Sequence, residues 1–417
     1  MDLAERLRVL RTGFARTFWV ANVLELFERF AFYGSKAVLA VYLNRAVGLG
    51  TTGNDLVGVY GGLVFGLPIF AGVVVDRFGF KRSLLACFTI FCAGYTLIGL
   101  AGLPAGQPFV DALGKKGFVI LALVVTSIGG SLIKPCVVGT VARTTTEETK
   151  SHGFSIYYTL VNFGGFLGPI LASEVRTRWG IAEVLLMSAA VSAALVFGTA
   201  LFYREPAGPR EGRTFAKVVA DASLVLRNVR FLAFLVIFSG FWIMFWQVFY
   251  SLPFYVTDVL KIERFELLET VDALGIIFLS VPATALMKKV RPIRAMAGGF
   301  AVASASWLII AFSRSWQGVV VAMLLFALGE SMQAPRFYEY VADLAPKEQT
   351  GTYMGFAFLP VAIGAFAAGP LSGYLVEHYL RRPDPGGMWI LLSAIGFTAT
   401  AGMLLYDRFL APRKAAA

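Results

Sequence analysis

Long apolar runs, separated by short polar or basic segments, fill almost the whole chain. Because a helix rises about 1.5 Å per residue, runs of 20 to 30 residues can each cross a hydrocarbon core of about 30 Å. The pattern predicts twelve membrane-spanning helices, at 17–46, 54–76, 81–103, 116–142, 153–175, 181–203, 229–259, 266–288, 292–313, 316–344, 351–378 and 387–407. The predicted fold class is therefore an all-α polytopic membrane protein.

Basic residues collect in alternate loops of this arrangement, and a linker rich in Pro, Gly and Arg lies at 204–228. They include Arg6, Arg8, Arg11, Arg16, Arg77, Lys81, Arg82, Arg143, Lys150, Arg210, Arg213, Lys288, Lys289, Arg291, Arg294, Arg408, Arg413 and Lys414. Loops rich in Lys and Arg stay in the cytosol, which predicts cytosolic termini. The linker separates predicted six-helix halves at 1–203 and 229–417. This plan is typical of transporters that rock around a site at the membrane midplane.

Composition supports a membrane protein and argues against other classes. The chain has 417 residues, of which 57% are hydrophobic and 15% charged, and its mean hydropathy is +0.71. The net charge of +11 follows from topology and does not indicate a nucleic-acid partner. Cys87, Cys92 and Cys136 lie in apolar runs and are interpreted as core residues. Residues 1–16 contain no evident removable signal peptide. The sequence also shows no nucleophile–base set, metal cluster or phosphate loop, which argues against an enzyme.

The first apolar run contains four charged residues: Glu25, Glu28, Arg29 and Lys36. Each would cost roughly 2.5–3.5 kcal/mol at the bilayer centre. At helical spacing the two acids and Lys36 follow one stripe with Phe32, and Arg29 lies beside it. One interpretation is an ion-pair cluster that only holds helices together. The favoured interpretation is a proton and substrate site at the core of a transporter.

Lys134, in the predicted fourth span, lies roughly 12 Å from the predicted cytosolic end. It must be paired, extend its charge to the interface, or lose its charge more readily through dehydration, and Glu330 in the tenth span is the candidate partner. Arg336 and Glu339, further along that span, are expected to pair with each other.

Neutral polar residues in the spans have two interpretations. Asn162 could bind a ligand or a neighbouring helix, and the glycines that follow it indicate close helix packing. In the seventh span, Trp246 belongs to an aromatic stripe, which is more often packing than pocket. Gln247 in mid-span is harder to explain as packing.

The loop between the second and third spans resembles the signature of the major facilitator superfamily. It reads Gly72, three residues, Asp76-Arg77, one residue, Gly79, one residue and Lys81-Arg82. The glycines allow a tight turn, and an acid can meet a helix N-terminus or a base on the other half. Asp76 and Arg77 are therefore interpreted as a conformational latch, the alternative being an ordinary basic loop.

The segment Glu25-Leu-Phe-Glu28-Arg29-Phe-Ala-Phe32-Tyr33-Gly34 is similar to the first-span signature of the proton-dependent oligopeptide transporter family. Further runs with the same similarity surround Lys134, Asn162, Gln247 and Glu330. The resemblance implies uptake of di- and tripeptides coupled to protons, with no cofactor besides the proton gradient. It also implies a monomeric protein of the bacterial inner membrane, whose partners are the peptide-like solute, protons and the bilayer.

Residue roles follow from the same resemblance. Glu25, Glu28 and Arg29 would couple protons, Lys134 and Arg29 would bind the peptide carboxylate, and Glu330 with Asn162 would bind its amino group. The remaining substrate-binding residues would be Tyr33, Lys36, Tyr60, Trp246 and Gln247.

The chain departs from the family at several of these positions. Lys36 stands where an arginine is usual, Trp246 where an acid is usual, and Phe32 where a tyrosine is frequent, whereas Asp272 stands near a common asparagine. These departures change the pair thought to gate the outer side. They keep open a proton-driven exporter or organic-anion carrier on the same fold, and, as a different class, a non-transporting receptor.

Overall fold

The computed structural model describes residues 13–146, 148–207, 214–346 and 349–411, and within these ranges every regular element is a helix. The remaining residues, with the predicted cytosolic bases Arg6, Arg8, Arg11, Arg210, Arg213, Arg413 and Lys414, lie outside the described ranges.

The chain forms two compact units, and each is built from helices. Unit 1 comprises residues 1–49 and 67–218, and unit 2 comprises 50–66 and 219–417. Unit 1 contains α1 (Arg16–Val41), α3 (Pro68–Phe78), α4 (Phe80–Leu100), α5 (Gln107–Leu113), α6 (Lys115–Thr144), α7 (Lys150–Arg178) and α8 (Ile181–Phe202), with a π turn at Tyr42–Ala46 and a 3₁₀ turn at Pro104–Gly106. Helix α9 (Phe215–Leu226) crosses the division. Unit 2 contains α2 (Thr51–Gly66), α10 (Val229–Tyr250), α11 (Leu252–Asp258), α12 (Glu266–Met287), α13 (Pro292–Ser313), α14 (Trp316–Leu344), α15 (Thr350–Phe356), α16 (Leu359–Tyr379) and α17 (Gly387–Phe409).

Ten helical segments of the described chain are long and apolar enough to cross a membrane, and the count is eleven when the bent pair α2–α3 is taken as one span. Helix α1 is 26 residues long and is not among them. Its charged residues are the reason, because they lie in the middle of an otherwise apolar sequence. The chain is therefore a multi-span membrane protein. The charged residues of α1 have to be neutralised or shielded if this helix also lies in the membrane.

In unit 1, α7 packs directly on α1. A Cβ atom added at Gly164 would lie 2.6 Å from the carbonyl oxygen of Leu26, and one at Gly168 would lie 2.5 Å from that of Phe30. Only glycine allows backbones to come this close, as in small-residue helix contacts generally. The predicted close packing of this glycine-rich segment is confirmed, and it brings α7 against the charged part of α1.

In unit 2, a close contact between glycines likewise joins α2 to α16. A Cβ atom at Gly58 would lie 2.7 Å from the Cα atom of Gly369. The side chain of Asn54 donates to Ser372 Oγ at 2.9 Å, so a polar contact stabilises the close approach. These contacts explain why residues 50–66 belong to the compact unit formed by the later helices. The predicted linker region also contains a helix, α9, that the polar composition at its start did not indicate.

Candidate functional site

Three charged residues in the middle of α1 form one buried cluster inside unit 1. Glu25, Glu28 and Arg29 are 0%, 2% and 4% exposed. The Arg29 guanidinium donates from Nε to Glu28 Oε2 at 2.5 Å and from Nη2 to Glu28 Oε1 at 2.8 Å. Its Nε also lies 3.5 Å from Glu25 Oε1. Such a two-pronged contact is the strongest geometry available to an arginine and a carboxylate.

Helix α6 adds the second base to this cluster. Lys134 Nζ lies 3.1 Å from Glu25 Oε1, and its side chain is 22% exposed. It also donates to the hydroxyl of Tyr157 on α7 at 2.7 Å, and that hydroxyl in turn donates to Glu25 Oε1 at 3.3 Å. Lys134 is therefore paired, which is one of the three alternatives, but its partner in unit 1 is Glu25.

Charge balance explains how four ionic groups can coexist in an apolar interior. Two carboxylates, Glu25 and Glu28, face two bases, Arg29 and Lys134, so the cluster is neutral when all four are ionised. Glu25 is shared between both bases, whereas Glu28 forms its ion pair with Arg29. Breaking one pair would leave a buried charge without compensation, which is strongly unfavourable. The ion pairs of the cluster can therefore rearrange only if a group of the same charge replaces the one that leaves, or if a carboxylate takes up a proton.

The aromatic residues of α1 extend the cluster along the helix. The Arg29 guanidinium carbon lies 4.8 Å from the centre of the Phe32 ring. Lys36 Nζ lies 5.0 Å from the Tyr33 ring centre and 6.0 Å from that of Phe32, and Lys36 is buried. Cation–π contacts therefore hold Arg29 and Lys36 against aromatic rings on the same face of α1.

Asn162 lies on α7 in a half-buried position. Its amide nitrogen donates to the carbonyl oxygen of Tyr158 at 2.8 Å, within the same helix. The amide group is therefore held in a fixed orientation by its own helix, and its oxygen points away from that bond.

The predicted residues in unit 2 are more strongly tied to packing. Trp246 Nε1 donates to the carbonyl oxygen of Val361 at 3.1 Å, and Gln247 Nε2 donates to that of Ala368 at 3.0 Å. Both side chains are buried, and both bonds run from α10 to α16. Tyr60 on α2 is buried and Glu330 on α14 is half-buried. Arg336 and Glu339 form the predicted ion pair, at 2.5 Å.

Two features of the sites were not predicted. Tyr157 was part of a recognised motif without a role, and only the fold shows that it joins Lys134 to Glu25. In unit 2, Glu269, which was not singled out from the sequence, is 3% exposed near the start of α12, three residues before the already noted Asp272, which is 5% exposed. Their three-residue spacing puts them on one helix face, a signal that the sequence did contain.

The loop between α3 and α4 has the tight turn that its glycine predicted, since Gly79 has a φ of 85°. Asp76 is half-buried at the end of α3, and the exposed Arg77 guanidinium lies 5.5 Å from the Phe78 ring centre. The first amides of α4 bind a different acid: Phe80 N and Lys81 N donate to the carboxylate of Glu205 at 2.8 and 2.7 Å. A carboxylate at a helix N-terminus is stabilised by the unpaired amides and the helix dipole.

Comparison with known proteins identifies the class. The sequence model of the Major Facilitator Superfamily matches residues 18–359 and 261–416, in two overlapping matches. The chain belongs to the major facilitator superfamily, and the predicted superfamily and all-helical fold are confirmed.

Individual relatives fall into two groups. The multidrug resistance protein MdtH of Klebsiella pneumoniae (strain 342) is 24% identical over 335 residues, which is 80% of this chain and 79% of that protein. Its counterpart from Proteus mirabilis (strain HI4320) is 24% identical over 341 residues, 80% of each chain. Among solved structures, a POT family transporter in complex with a thioalcohol-conjugated peptide superposes with a TM-score of 0.77 at 19% identity, covering 94% of this chain and 96% of that one. A POT family transporter in complex with 5-aminolevulinic acid gives a TM-score of 0.76 at 19% identity, with the same coverage. At these identities, the structural likeness shows the fold.

Proposed function

We propose that this protein is a proton-coupled symporter that imports di- and tripeptides or peptide-like solutes by alternating access. The observation that carries the proposal is the buried, neutral cluster of Glu25, Glu28, Arg29 and Lys134 in unit 1. Support comes from the similar folds of POT family transporters, two of which were solved with a conjugated peptide and with 5-aminolevulinic acid. Both of those ligands are small molecules that carry carboxylate and amino groups.

The cluster offers a mechanism for coupling a proton to a substrate carboxylate. An incoming carboxylate that binds Lys134 or Arg29 brings a negative charge into a site that is already neutral. If Glu25 or Glu28 takes up a proton, its base is released and the total charge is unchanged. Proton and substrate carboxylate thus enter together at little electrostatic cost, whereas either one alone leaves an uncompensated charge. Glu28 is the favoured proton carrier because its protonation leaves the Glu25–Lys134 pair intact.

The other predicted site residues complete this proposal. Glu330 and Asn162 bind the substrate amino group, and Tyr33, Lys36, Tyr60, Trp246 and Gln247 contribute to substrate binding or to its support. Asp76 and Arg77 act as the latch. Their assignment rests on the motif resemblance. The side chains of Trp246 and Gln247 also donate hydrogen bonds within unit 2, which ties these two residues to helix packing.

We also propose the topology that this mechanism needs. Helix α1 would be the twelfth span, since a neutral charge cluster facing the protein interior lowers the cost of inserting it. The protein would lie in the bacterial inner membrane as a monomer, with two six-helix halves on either side of residues 204–228 and both termini in the cytosol.

A second function is an exporter of drugs or other small solutes driven by protons. The observation in its favour is the similarity to the multidrug resistance proteins MdtH, which covers 80% of the chain at 24% identity. Trp246, which stands where the peptide transporter family usually has an acid, gives this function little support, since its indole packs between Phe65 and Tyr250 within unit 2.

Uptake of labelled dialanine into proteoliposomes under an inward proton gradient tests the proposal, with empty liposomes and a proton ionophore as controls. We expect gradient-dependent uptake that unlabelled dipeptides compete with. Binding of a cationic drug together with its proton-driven accumulation in inverted vesicles, and no dialanine uptake, would instead establish the exporter.

A further inference from the structure

The outer surface of unit 1 carries a groove of about 530 Å³ between α1 and α8. Its walls include Trp19, Val23 and Phe27 on α1, and Ala194, Gly198 and Phe202 on α8, and every lining residue is apolar or glycine. The groove exists because α8 has the small residues Ala194 and Gly198 where it faces α1. Its volume is within the range of small-molecule sites.

Several side chains that form the walls of the groove are exposed at the surface of unit 1. Trp19 is 36% exposed, Phe27 49% and Phe202 52%. Helix α8 is one of the membrane-spanning candidates, and the proposed topology makes α1 another span, so in a bilayer this groove faces hydrocarbon. A bilayer acyl chain is therefore the occupant whose chemistry matches the walls.

Charge distinguishes one end of the groove from the other. Helix α1 begins at Arg16, one turn before Trp19, and Arg204 follows Phe202 by two residues. Both arginines are exposed. Tryptophan is enriched at the headgroup level of membranes, so Trp19 indicates that this end lies at the interface. A phosphate-bearing headgroup there would find two guanidinium groups, which favour phosphate geometry.

We propose that the α1–α8 groove is a binding site for an anionic phospholipid, with one acyl chain in the groove and the headgroup at Arg16 and Arg204. An acyl chain gains little by leaving other acyl chains, because both surroundings are equally apolar. Selectivity must therefore come from the headgroup charge. The inference depends on membrane embedding and not on which solute is transported.

Native mass spectrometry of the full chain, purified with equal amounts of phosphatidylglycerol and phosphatidylcholine of identical acyl chains, tests the site. Two arginines at a membrane surface are expected to enrich the anionic lipid on the order of 10-fold. Arg16→Gln/Arg204→Gln should bring the ratio close to one. The matched control Arg227→Gln/Arg230→Gln removes two exposed arginines near the start of α10 and should leave the ratio unchanged.

A second variant tests the groove separately from the charge. A Cβ atom at Gly198 would meet Leu24 Cδ2 at an ordinary 3.5 Å, so Gly198→Leu can be accommodated while its longer side chain fills the groove. We expect it to lose the bound lipid. In the wild type, brominated acyl chains on phosphatidylglycerol should quench Trp19 fluorescence more than those on phosphatidylcholine, with Trp19→Phe giving the background.

Three outcomes would overturn the proposal. One is equal retention of the two lipids by the wild type. Another is equal loss of selectivity in the control pair, which would indicate general surface charge. The third is a lipid-free dimer that Gly198→Leu converts to monomer, since a second copy would then cover the groove. Each is independent of dialanine uptake, so failure of this inference is distinguishable from failure of the proposed symport.

Discussion

Replacing Lys134 by alanine should strongly destabilise unit 1, because it removes one of two bases from a neutral buried cluster. At the 3.1 Å separation of Lys134 Nζ and Glu25 Oε1, an effective dielectric constant of about 20 gives an attraction of about 5 kcal/mol. Measured losses on removing one member of a buried pair are about 3–5 kcal/mol. Since the Lys134 side chain is 22% exposed, we expect the free energy of unfolding to fall by about 3 kcal/mol, the lower end of that range.

The double variant Lys134→Ala/Glu25→Gln is the control for this reasoning. It removes one charge of each sign and keeps the two-pronged Arg29–Glu28 contact, so the cluster becomes neutral again. We expect the double variant to recover most of the lost stability, a positive coupling that a double-mutant cycle measures directly. Chemical unfolding in detergent, monitored by tryptophan fluorescence, supplies the free energies of unfolding of the wild type, Lys134→Ala, Glu25→Gln and the double variant.

Substrate binding should behave differently from stability in these variants. Both lack the lysine that would receive the substrate carboxylate, so dipeptide affinity should remain low in the double variant even where stability returns. If Lys134→Ala is as stable as the wild type, the Lys134–Glu25 pairing is refuted and the lysine extends to the interface. Wild-type dipeptide affinity in the double variant would refute its role in binding.

Three further changes test other parts of the site. Glu28→Gln should abolish gradient-driven uptake but leave solute exchange, because it removes the proposed titrating group and keeps a hydrogen-bonding side chain; full proton-driven uptake would count against that role. Tyr157→Phe should lower dipeptide affinity by about 10-fold, since it removes a hydrogen bond to a charged amine worth about 1.5 kcal/mol, and an isothermal titration with unchanged affinity would exclude it from positioning the lysine. Gly168→Ala should cost about 1–3 kcal/mol, because overpacking forces helices apart where the added Cβ would lie 2.5 Å from the Phe30 carbonyl oxygen. Gly117→Ala, which meets no atom within 4 Å, is the matched control in the same unfolding measurement, and equal behaviour of the two alanine variants would argue against close packing.

Much of the architecture was predictable because insertion into a membrane imposes simple rules on sequence. A helix must satisfy its backbone internally and present about 20 apolar residues, so hydropathy identifies spans such as 292–313 and 316–344, whose predicted limits match α13 and α14. The same cost made Glu25, Glu28 and Arg29 recognisable as special residues. What hydropathy could not show was the break of the second apolar run into α2 and α3 near Pro68, or the short helix at Gln107–Leu113.

The choice of partners was decided by the tertiary structure alone. For Lys134, the sequence suggested an acid in the tenth span as a candidate partner, whereas the structure pairs this lysine with Glu25, 109 residues away along the chain. Likewise, the hydrogen bond from the Gln247 amide to the carbonyl oxygen of Ala368 on a neighbouring helix could not be read from the sequence. Hydrogen bonds and ion pairs depend on separations of a few tenths of an ångström. Helix packing fixes these separations, and no periodicity along one chain encodes them. By itself the sequence determined the spans and the buried charges that must be neutralised, whereas the structure decided which charge neutralises which.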